Sequence, residues 1–400
     1  MKKELEVMVD VQRAHTLIAQ HTRRLVPQCI PLVQAVGLRL AEPLYSEGDV
    51  PAFWQSSVDG YAFSWAEGER NYQLIGEVPA GSGRPPALLP KQAVRIFTGA
   101  PLPEGTDTVV MQERTLVEGL EITLNDPDLS KGSNVRPPGS EIAARALALE
   151  EGSLLLPGSI GFLAGMGKAE VVVYPRPKVA ILVTGNELQA PGQPLAYGQV
   201  YESNSVLLQA ALLQLGIQEV WVQRVSDQLE ELQSAVERAI AQADVVLVTG
   251  GVSVGDYDFT YRAAERGGIE LIFHKIKQKP GKPLLFGHKG ERLFFGLPGN
   301  PASVLTCFYE YVFPALGQLQ GNRKGLDTKK APLSSVFKKK PGLTQFLKAH
   351  FDGQQVHLAA AQASYQLAGF ATANCLAVFP EDWEVVEAGT LVEIHLLPDC

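Results

Sequence analysis

Four lysines crowd into eight residues of the stretch KIKQKPGKP (275–283), namely Lys275, Lys277, Lys279 and Lys282, in a chain whose formal net charge is −8. Pro280, Gly281 and Pro283 exclude a regular helix there, because proline lacks the backbone donor and fixes φ. The ammonium groups must therefore sit on a strand end and a stiff loop. Held together in that way they repel one another unless an anion neutralises them. A lysine run is most often just a solvated surface; the company this one keeps argues for chemistry. GLPGNPAS (296–303) follows it, and TGNEL (184–188) and TGGVSVGDYD (249–258) precede it. Glycines let backbone amides approach an oxyanion closely, and Ser253 and Ser303 can donate hydroxyl hydrogen bonds. Lys279 and Lys282 supply compact charges, while Glu187, Asp256 and Asp258 can hold a hard divalent cation, Mg²⁺ being the fitting ion. Together these residues suggest metal-assisted phosphoryl or oxyanion chemistry. Each motif alone is more often a tight turn than a site. No GxxxxGK[ST] phosphate loop is present, since Gly281-Lys282 is followed by Pro283, and the GxGxxG dinucleotide fingerprint is absent.

The elements around these motifs place them at strand ends. KVAILVTG (178–185) is an almost continuous apolar strand, the mark of burial on both faces. SNSVLLQAALLQLG (203–216) reads as an apolar helix, with Ser203 or Asn204 as cap and Gly216 as stop. Strand 218–225, helix 227–242, strand 244–251, a helix near 257–266, strands 269–276 and 292–299, and a helix from Pro301 to about Gln318 follow. Strands alternating with helices at this spacing predict a mostly parallel, three-layer α/β domain. Its ligands belong beyond the carboxyl ends of the strands, where all four motifs fall.

The rest of the chain has a different texture. Residues 10–22 carry apolar side chains at helical spacing after Asp10, and 31–44 reads as a second amphipathic segment. From 51 to about 139 short apolar runs broken by Gly and Pro predict a small β domain. It contains SSVDGYAF (56–63), RIFTGAPLPEGTDTVVMQE (95–113) and NVRPPGSE (134–141). Asp59 before Gly60 reads first as a turn residue, Glu113 and Arg114 as an exposed pair, and Arg136 and Glu141 as a polar loop. Residues 141–175 are expected to pair with the N-terminal segment. The last 75 residues, opened by KKAPLSSVFKKKP, read as a small β barrel or sandwich.

The bulk composition bounds the function class. Four hundred residues are too many for one core, and 46% hydrophobic with 20% charged residues describes a globular protein. The 27 prolines and 38 glycines signal many turns. A pI near 5.5 argues against general nucleic-acid binding. No apolar run reaches the roughly 20 residues that span a bilayer, and MKKELEVMVD does not fit a signal peptide. Cys29, Cys307, Cys375 and Cys400 form no CxxC pair. Cytoplasmic localisation is expected.

Read in order, DVPAFWQSSVDGYA, FTGAPLPEGTDTVVMQE, VTGNEL, YESNS, VTGGVSVGDYD, KPGKPLLFG and GLPGNPAS, with the weaker tail QASYQLAGFATANCLAVFP, span nearly the whole chain. The set resembles the MoeA family of molybdopterin molybdenumtransferases, which includes the gephyrin E domain. The resemblance implies four domains. They are an elongated discontinuous linker domain (1–50 and 140–175, with part of the N-terminal helix packing on the α/β domain), an inserted β domain (51–139), a central three-layer α/β molybdopterin-binding domain (176–326) and a C-terminal β barrel (327–400). It implies a homodimer whose cleft lies between the α/β domain of one subunit and the β domain of the other. It further implies conversion of adenylylated molybdopterin and molybdate to molybdenum cofactor and AMP with Mg²⁺. Implied partners are the molybdopterin adenylyltransferase and molybdoenzyme acceptors.

By the same resemblance the catalytic positions are Asp59, Glu187, Asp258, Lys275 and Lys279. Molybdate, a tetrahedral dianion, would meet Lys279, Lys282, the Pro283 turn, Ser303, Lys348 and Ser364. The pterin and nucleotide would meet Thr98, Thr184, Gly185, Ser205, Asp227, Gly250, Gly251, Ser253, Asp256, Pro298 and Pro301, and the metal Glu187, Asp256 and Asp258. The chain departs from the family pattern in three places. NIRRRGED becomes NVRPPGSE, with Pro137 and Pro138 for two arginines. An arginine becomes Lys348, which keeps the charge but loses the bidentate fork. QSSG becomes Gln362-Ala363-Ser364-Tyr365. Two other readings share parts of the pattern. A molybdopterin adenylyltransferase has the TGG and PGNP-like turns but is a single small domain. A non-catalytic cofactor carrier or scaffold would keep the fold, and the retained acids and lysines speak against it.

Overall fold

The computed structural model describes residues 6–251, 259–322 and 325–398. The chain forms two compact units, one of Met1–Gln28, Gly37–Arg39 and Val173–Cys400 and the other of Cys29–Val36 and Leu40–Val172.

The first unit is built on a six-stranded sheet. Its order is Val220–Val225, Val179–Thr184, Val245–Thr249, Arg292–Leu297, Pro283–Lys289, Glu270–Lys275. The first four strands are parallel. Val179–Thr184 is buried at all six positions because alternate residues enter different cores. Val179, Ile181 and Val183 pack beside helices Val11–His21 and Asn204–Gln214, while Ala180 and Leu182 pack against helix Leu229–Gln242. That is the three-layer arrangement. Asp10 caps the N-terminal helix by accepting the Arg13 amide at 2.7 Å, and Ala14, Leu17 and Ile18 enter the core.

The sequence does not predict the strand Pro283–Lys289 of this sheet, because Pro280, Gly281 and Pro283 make its start read as loop. It runs antiparallel to both neighbours. The cause is local: Lys289 pairs with Arg292 across a two-residue turn, and a parallel partner would need a long crossover. Gly290 supplies the positive φ, +62°, that such a turn uses.

The C-terminal sheet runs Gln278–Lys279, Thr344–Phe351, Cys375–Phe379, Leu391–Leu396, Thr328–Pro332. Its edge strand is thus part of the lysine loop, paired in parallel as Gln278 with Thr344 and Lys279 with Gln345. His395 of this sheet meets the buried Glu310, its Nδ1 lying 2.9 Å from both carboxylate oxygens, and its Nε2 lies 3.1 Å from Glu393. Burial opposes the imidazolium, but the hydrogen bond and charge of Glu310, then those of Glu393, outweigh it and raise the His395 pKa to about 9. The unfolded value is about 6.5. This pair's stabilisation is therefore fully present below pH ~6.5 and lost as pH rises through about 9. Thermal unfolding followed from pH 6.5 to 9 should fall more steeply for the native chain than for His395→Gln; equal slopes would remove the pair from the account.

In the second unit a six-stranded sheet runs Thr108–Met111, Gly60–Phe63, Gln92–Ile96, Asn71–Val78, Glu121–Leu124, Thr115–Glu118. Asp59 lies in the bend 57–59, as the plain reading of that dipeptide expects, but Gly60 belongs to the strand that follows. Gly60 opens a strand, and a Cβ there would overlap the Val110 carbonyl, so glycine is required by close strand approach. The segment 31–44, read as amphipathic, holds only a 3₁₀ turn, Leu32–Ala35, and the short strands Arg39–Leu40 and Leu44–Tyr45. Pro31, Pro43 and Gly37 at φ +77° break any longer helix. Leu44–Tyr45 pairs with Leu147–Leu149, as expected of residues 141–175. NVRPPGSE folds back on the DVPAF stretch: Val135–Arg136 pairs with Gln55–Ser56, and the Glu141 amide donates to the Val50 carbonyl at 2.9 Å.

Candidate functional site

The strand order places a topological switch at the centre of the first unit. From Val179–Thr184 the chain moves to one side for Val220–Val225, then returns to the other side for Val245–Thr249. A crevice must open where those connections part, at the carboxyl ends of Val179–Thr184 and Val245–Thr249. TGNEL and the start of TGGVSVGDYD leave the strands there. Gly250, at φ +88°, packs so tightly that a Cβ would overlap the Thr184 carbonyl. The Thr260 hydroxyl donates to the Gly250 carbonyl at 3.1 Å, and a Cβ on Gly251 would lie 2.9 Å from that hydroxyl oxygen. Asp227 clamps the other turn, accepting the Thr184 hydroxyl and, at 3.1 Å, the Asn186 amide. Both Asp227 oxygens are thereby engaged within the protein. Ser253, Asp256 and Asp258 lie outside the described residues.

Beside the switch a cleft of about 870 Å³ opens within the first unit. Of the residues singled out from sequence, Glu187, Lys279, Lys282, Pro283, Pro298, Pro301, Ser303 and Ser364 line it together. Glu187, Lys279 and Lys282 are exposed into solvent, so the cleft presents two cations and one carboxylate that no described residue pairs. The cleft is also lined by the two-stranded element of Leu188–Gln189 and Val200–Tyr201 and by the start of helix Asn204–Gln214. Ser205 faces inward from that helix. Its hydroxyl donates to Glu202 Oε2 at 2.5 Å and its amide to Oε1 at 2.8 Å, so the buried Glu202 caps the helix and uses Ser205 to do so. Asn204 leans the other way, donating to the Gly299 carbonyl at 2.9 Å while its buried Oδ1 has no partner.

Lys275 ends its strand opposite Pro283 and is not among the cleft-lining residues. Lys348, expected at the oxyanion, is 2% exposed. Its ammonium donates to the carbonyls of Gln366 at 2.9 Å and Ala363 at 3.3 Å, and burial pushes its pKa below the ordinary lysine value. It therefore braces the 363–366 loop from beneath. That loop carries Ser364, whose hydroxyl oxygen accepts from Asn300 Nδ2 at 3.0 Å and whose carbonyl accepts the Ala302 amide at 3.2 Å. Through that brace the C-terminal sheet grips the PGNP turn. Sequence reasoning does not single out Glu202 or Gln278 and takes Asn204 only as a possible helix cap; YESNS, read as a unit, is the one signal for Glu202 and Asn204.

In the second unit the structure joins two of the expected residues. Asp59 Oδ1 accepts both the amide and the hydroxyl of Thr98, each at 2.8 Å. The Thr98 amide first, then its hydroxyl, with Arg95 adding charge, hold the exposed Asp59 carboxyl below the usual aspartate range. Arg95 is fixed by the Gly60 carbonyl at 2.8 Å, by Gln112, and by the Tyr61 and Phe97 rings at 5.4 and 4.8 Å. The result is an ionised, oriented carboxylate on an exposed turn.

Mg²⁺ is a hard cation that keeps several waters and takes one or two carboxylates beside substrate phosphate. Glu187 is a donor of that kind on the cleft wall, and no cluster of three candidate ligands occurs among the described residues.

A three-layer α/β domain with a lysine-lined cleft beside its switch point, a separate β unit and a C-terminal sheet define a multidomain α/β protein of the kind that binds ligands at its strand ends. Three family models cover the chain: the MoeA N-terminal region (domain I and II) over residues 9–167, a probable molybdopterin binding domain over 180–318, and the MoeA C-terminal region (domain IV) over 330–397. The chain belongs to the MoeA family. The molybdopterin molybdenumtransferase of Haemophilus influenzae is 37% identical over 384 residues, covering 92% of this chain and 94% of that one. Molybdopterin molybdenumtransferase 2 of Mycobacterium tuberculosis is 32% identical, covering 97% and 99%. The crystal structure of a molybdopterin biosynthesis MoeA protein from Pyrococcus horikoshii superimposes with a TM-score of 0.84 at 30% identity, over 97% of this chain and 99% of that one.

Proposed function

We infer that this chain is a molybdopterin molybdenumtransferase, a transferase of molybdenum cofactor biosynthesis that acts on molybdopterin and molybdate. The observation that carries the reading is the joining of Lys279, Lys282, Ser303, Ser364 and Glu187 around one cleft at the strand ends of a molybdopterin-binding type of domain. In the full reaction, adenylylated molybdopterin and molybdate give molybdenum cofactor and AMP. The tetrahedral dianion takes its charge-assisted hydrogen bonds from Lys279 and Lys282, with the Ser303 hydroxyl, the Pro283 turn and the braced Ser364 closing the pocket. Thr184, Gly185, Gly250 and Gly251 shape the nucleotide side, where close backbone approach replaces side-chain contact, and Asp227 holds the TGN turn in register for it. Glu187, with Asp256 and Asp258, would hold Mg²⁺, whose contribution is to neutralise and polarise the adenylyl phosphate.

The measurement that tests this is AMP release from adenylylated molybdopterin by the purified protein with Mg²⁺, as a function of molybdate. Molybdate-dependent release is expected. Nucleotide binding with no release at any molybdate concentration would replace the transferase reading with that of a carrier.

The division into an elongated linker domain, a β domain, an α/β domain and a barrel belongs to the same proposal, supported by the separate sheets. So does a homodimer in which Asp59 of one subunit serves the cleft of the other. Its support is Asp59 itself, ionised, oriented by Thr98 and exposed. A cytoplasmic location, with the molybdopterin adenylyltransferase and molybdoenzyme acceptors as partners, belongs to the same proposal; no described helix is long and apolar enough to cross a membrane.

Shared sites make a quantitative prediction. Asp59→Asn and Lys279→Ala, each weakly active alone, should regain activity when mixed under exchange conditions. Half the dimers are then mixed and each has one intact site of two, so about a quarter of native activity is expected from two-fold symmetry. No gain on mixing, with exchange verified by mass, would place Asp59 in its own subunit's site or in none.

A further inference from the structure

Two residues outside the functional motifs set the shape of the lysine loop. Gln278 is fully buried immediately before Lys279. Its Nε2 donates to the carbonyls of Pro280 at 3.0 Å and Gly281 at 3.2 Å, and its Oε1 accepts the hydroxyl of Tyr311. The orientation is forced: carbonyls only accept, so the amide nitrogen must face them and the amide oxygen must take the Tyr311 proton. Tyr311 is itself fully buried in a π-helical turn, Phe308–Val312, an irregularity often found at functional sites. Burial raises its phenol pKa well above the ordinary value, so it stays a donor.

This arrangement has an electrostatic consequence. Pro280 and Gly281 line the cleft, and carbonyl oxygens pointing into it would repel an anion. Gln278 turns both carbonyls inward, which leaves the ammonium groups on either side, Lys279 and Lys282, as the loop's contribution to the cavity. We propose that Tyr311 and Gln278 form a positioning pair that sets the affinity for the tetrahedral oxyanion substrate without touching it, by holding the Pro280 and Gly281 carbonyls away from the cleft and fixing the spacing of Lys279 and Lys282. The inference rests on reading the cleft as the oxyanion site.

Tyr311→Phe removes only the hydroxyl, and Gln278→Met keeps the volume but removes both donors. In each, the KM for molybdate should rise roughly five- to twentyfold, the scale of one buried hydrogen-bonding group left unsatisfied. The KM for adenylylated molybdopterin and kcat should stay within about twofold. Hydrogen exchange in a peptide spanning 276–284 should accelerate while that of strand Val179–Thr184 does not. Direct molybdate binding by equilibrium dialysis gives a second readout that does not need turnover. If the native protein releases AMP but both variants keep the native molybdate KM, the positioning role is wrong and the transferase reading stands. If the native protein binds molybdate without AMP release, the transferase reading fails. Weaker binding by the variants would still support the pair, and unchanged binding would end it. All parameters falling together with the melting temperature would mean a purely structural role, and absence of molybdate binding by the native protein would overturn both ideas.

Discussion

Replacing Lys279 with alanine is expected to raise the KM for molybdate by roughly 10- to 100-fold while the KM for the nucleotide substrate changes far less. The magnitude comes from losing a charge-assisted hydrogen bond to a bound anion, worth about 1.5–3 kcal/mol, at about 1.4 kcal/mol per decade. The lower half of that range is favoured by one observation: Lys279 is exposed before substrate binds, so the anion must displace water from it. Two structural features keep the effect from vanishing. Lys279 is pinned as an edge strand against Gln345, and the Gln278 amide ties down the two residues that follow it. An ammonium held in place loses little side-chain and loop entropy when the ligand arrives, and more of its Coulomb attraction survives as affinity. Lys279→Arg keeps the charge but substitutes a planar fork for a compact point, so it should lie between alanine and native. Initial-rate AMP release at varied molybdate measures all three. A native molybdate KM in Lys279→Ala would remove the lysine loop from oxyanion binding.

What could be read from the chain alone follows the range of the interactions concerned. The lysines, the glycines at strand ends and the PGNP turn declare themselves because composition and local geometry are the same information: proline and glycine dictate where the chain can turn. The alternating burial of Val179–Thr184 is likewise written in an unbroken apolar run. Gln278 and Tyr311 could not be found that way. Nothing in a glutamine beside a lysine cluster says that its amide points inward, and its partner is brought to it by a π-helical turn 33 residues further along the chain. Lys348 illustrates the opposite difficulty. The resemblance implies an anion contact, but the 363–366 loop supplies carbonyls that satisfy the ammonium, and a buried cation seeks the nearest fixed acceptors. Ser205 is similar: the resemblance implies a ligand contact, but Glu202, three residues earlier in the chain, takes its hydroxyl. Asp59 reads correctly as a turn residue, but the reason for Gly60 is not local: the Val110 carbonyl, which excludes any Cβ, lies on another strand.

Gly281→Ala should be the most damaging single-methyl change to the loop. Gly281 has φ +82°, a conformation that costs a residue with a Cβ about 1–2 kcal/mol. The added carbon would also overlap the Cys307 sulfur and sit 2.9 Å from Gln278 Nε2. Neither neighbour can yield easily, since Cys307 and Gln278 are both fully buried, and overpacking of this kind adds roughly 1–3 kcal/mol. Lower melting and a loss of molybdate affinity are expected together, because displacing Gly281 also breaks the Gln278 bonds that shape the loop. The two costs can be separated. Cys307→Ala removes the sulfur and alone should destabilise only modestly, as a small cavity does. In the double variant the overlap with the sulfur disappears while the contact with Gln278 Nε2 and the backbone strain remain, so it should melt higher than the sum of the two single effects implies. Recovery of molybdate affinity in the double variant would identify the close packing of the loop on helix Pro301–Cys307 as what fixes the lysines. Strict additivity, with no recovery, would mean that φ alone accounts for the glycine and that Cys307 is a bystander.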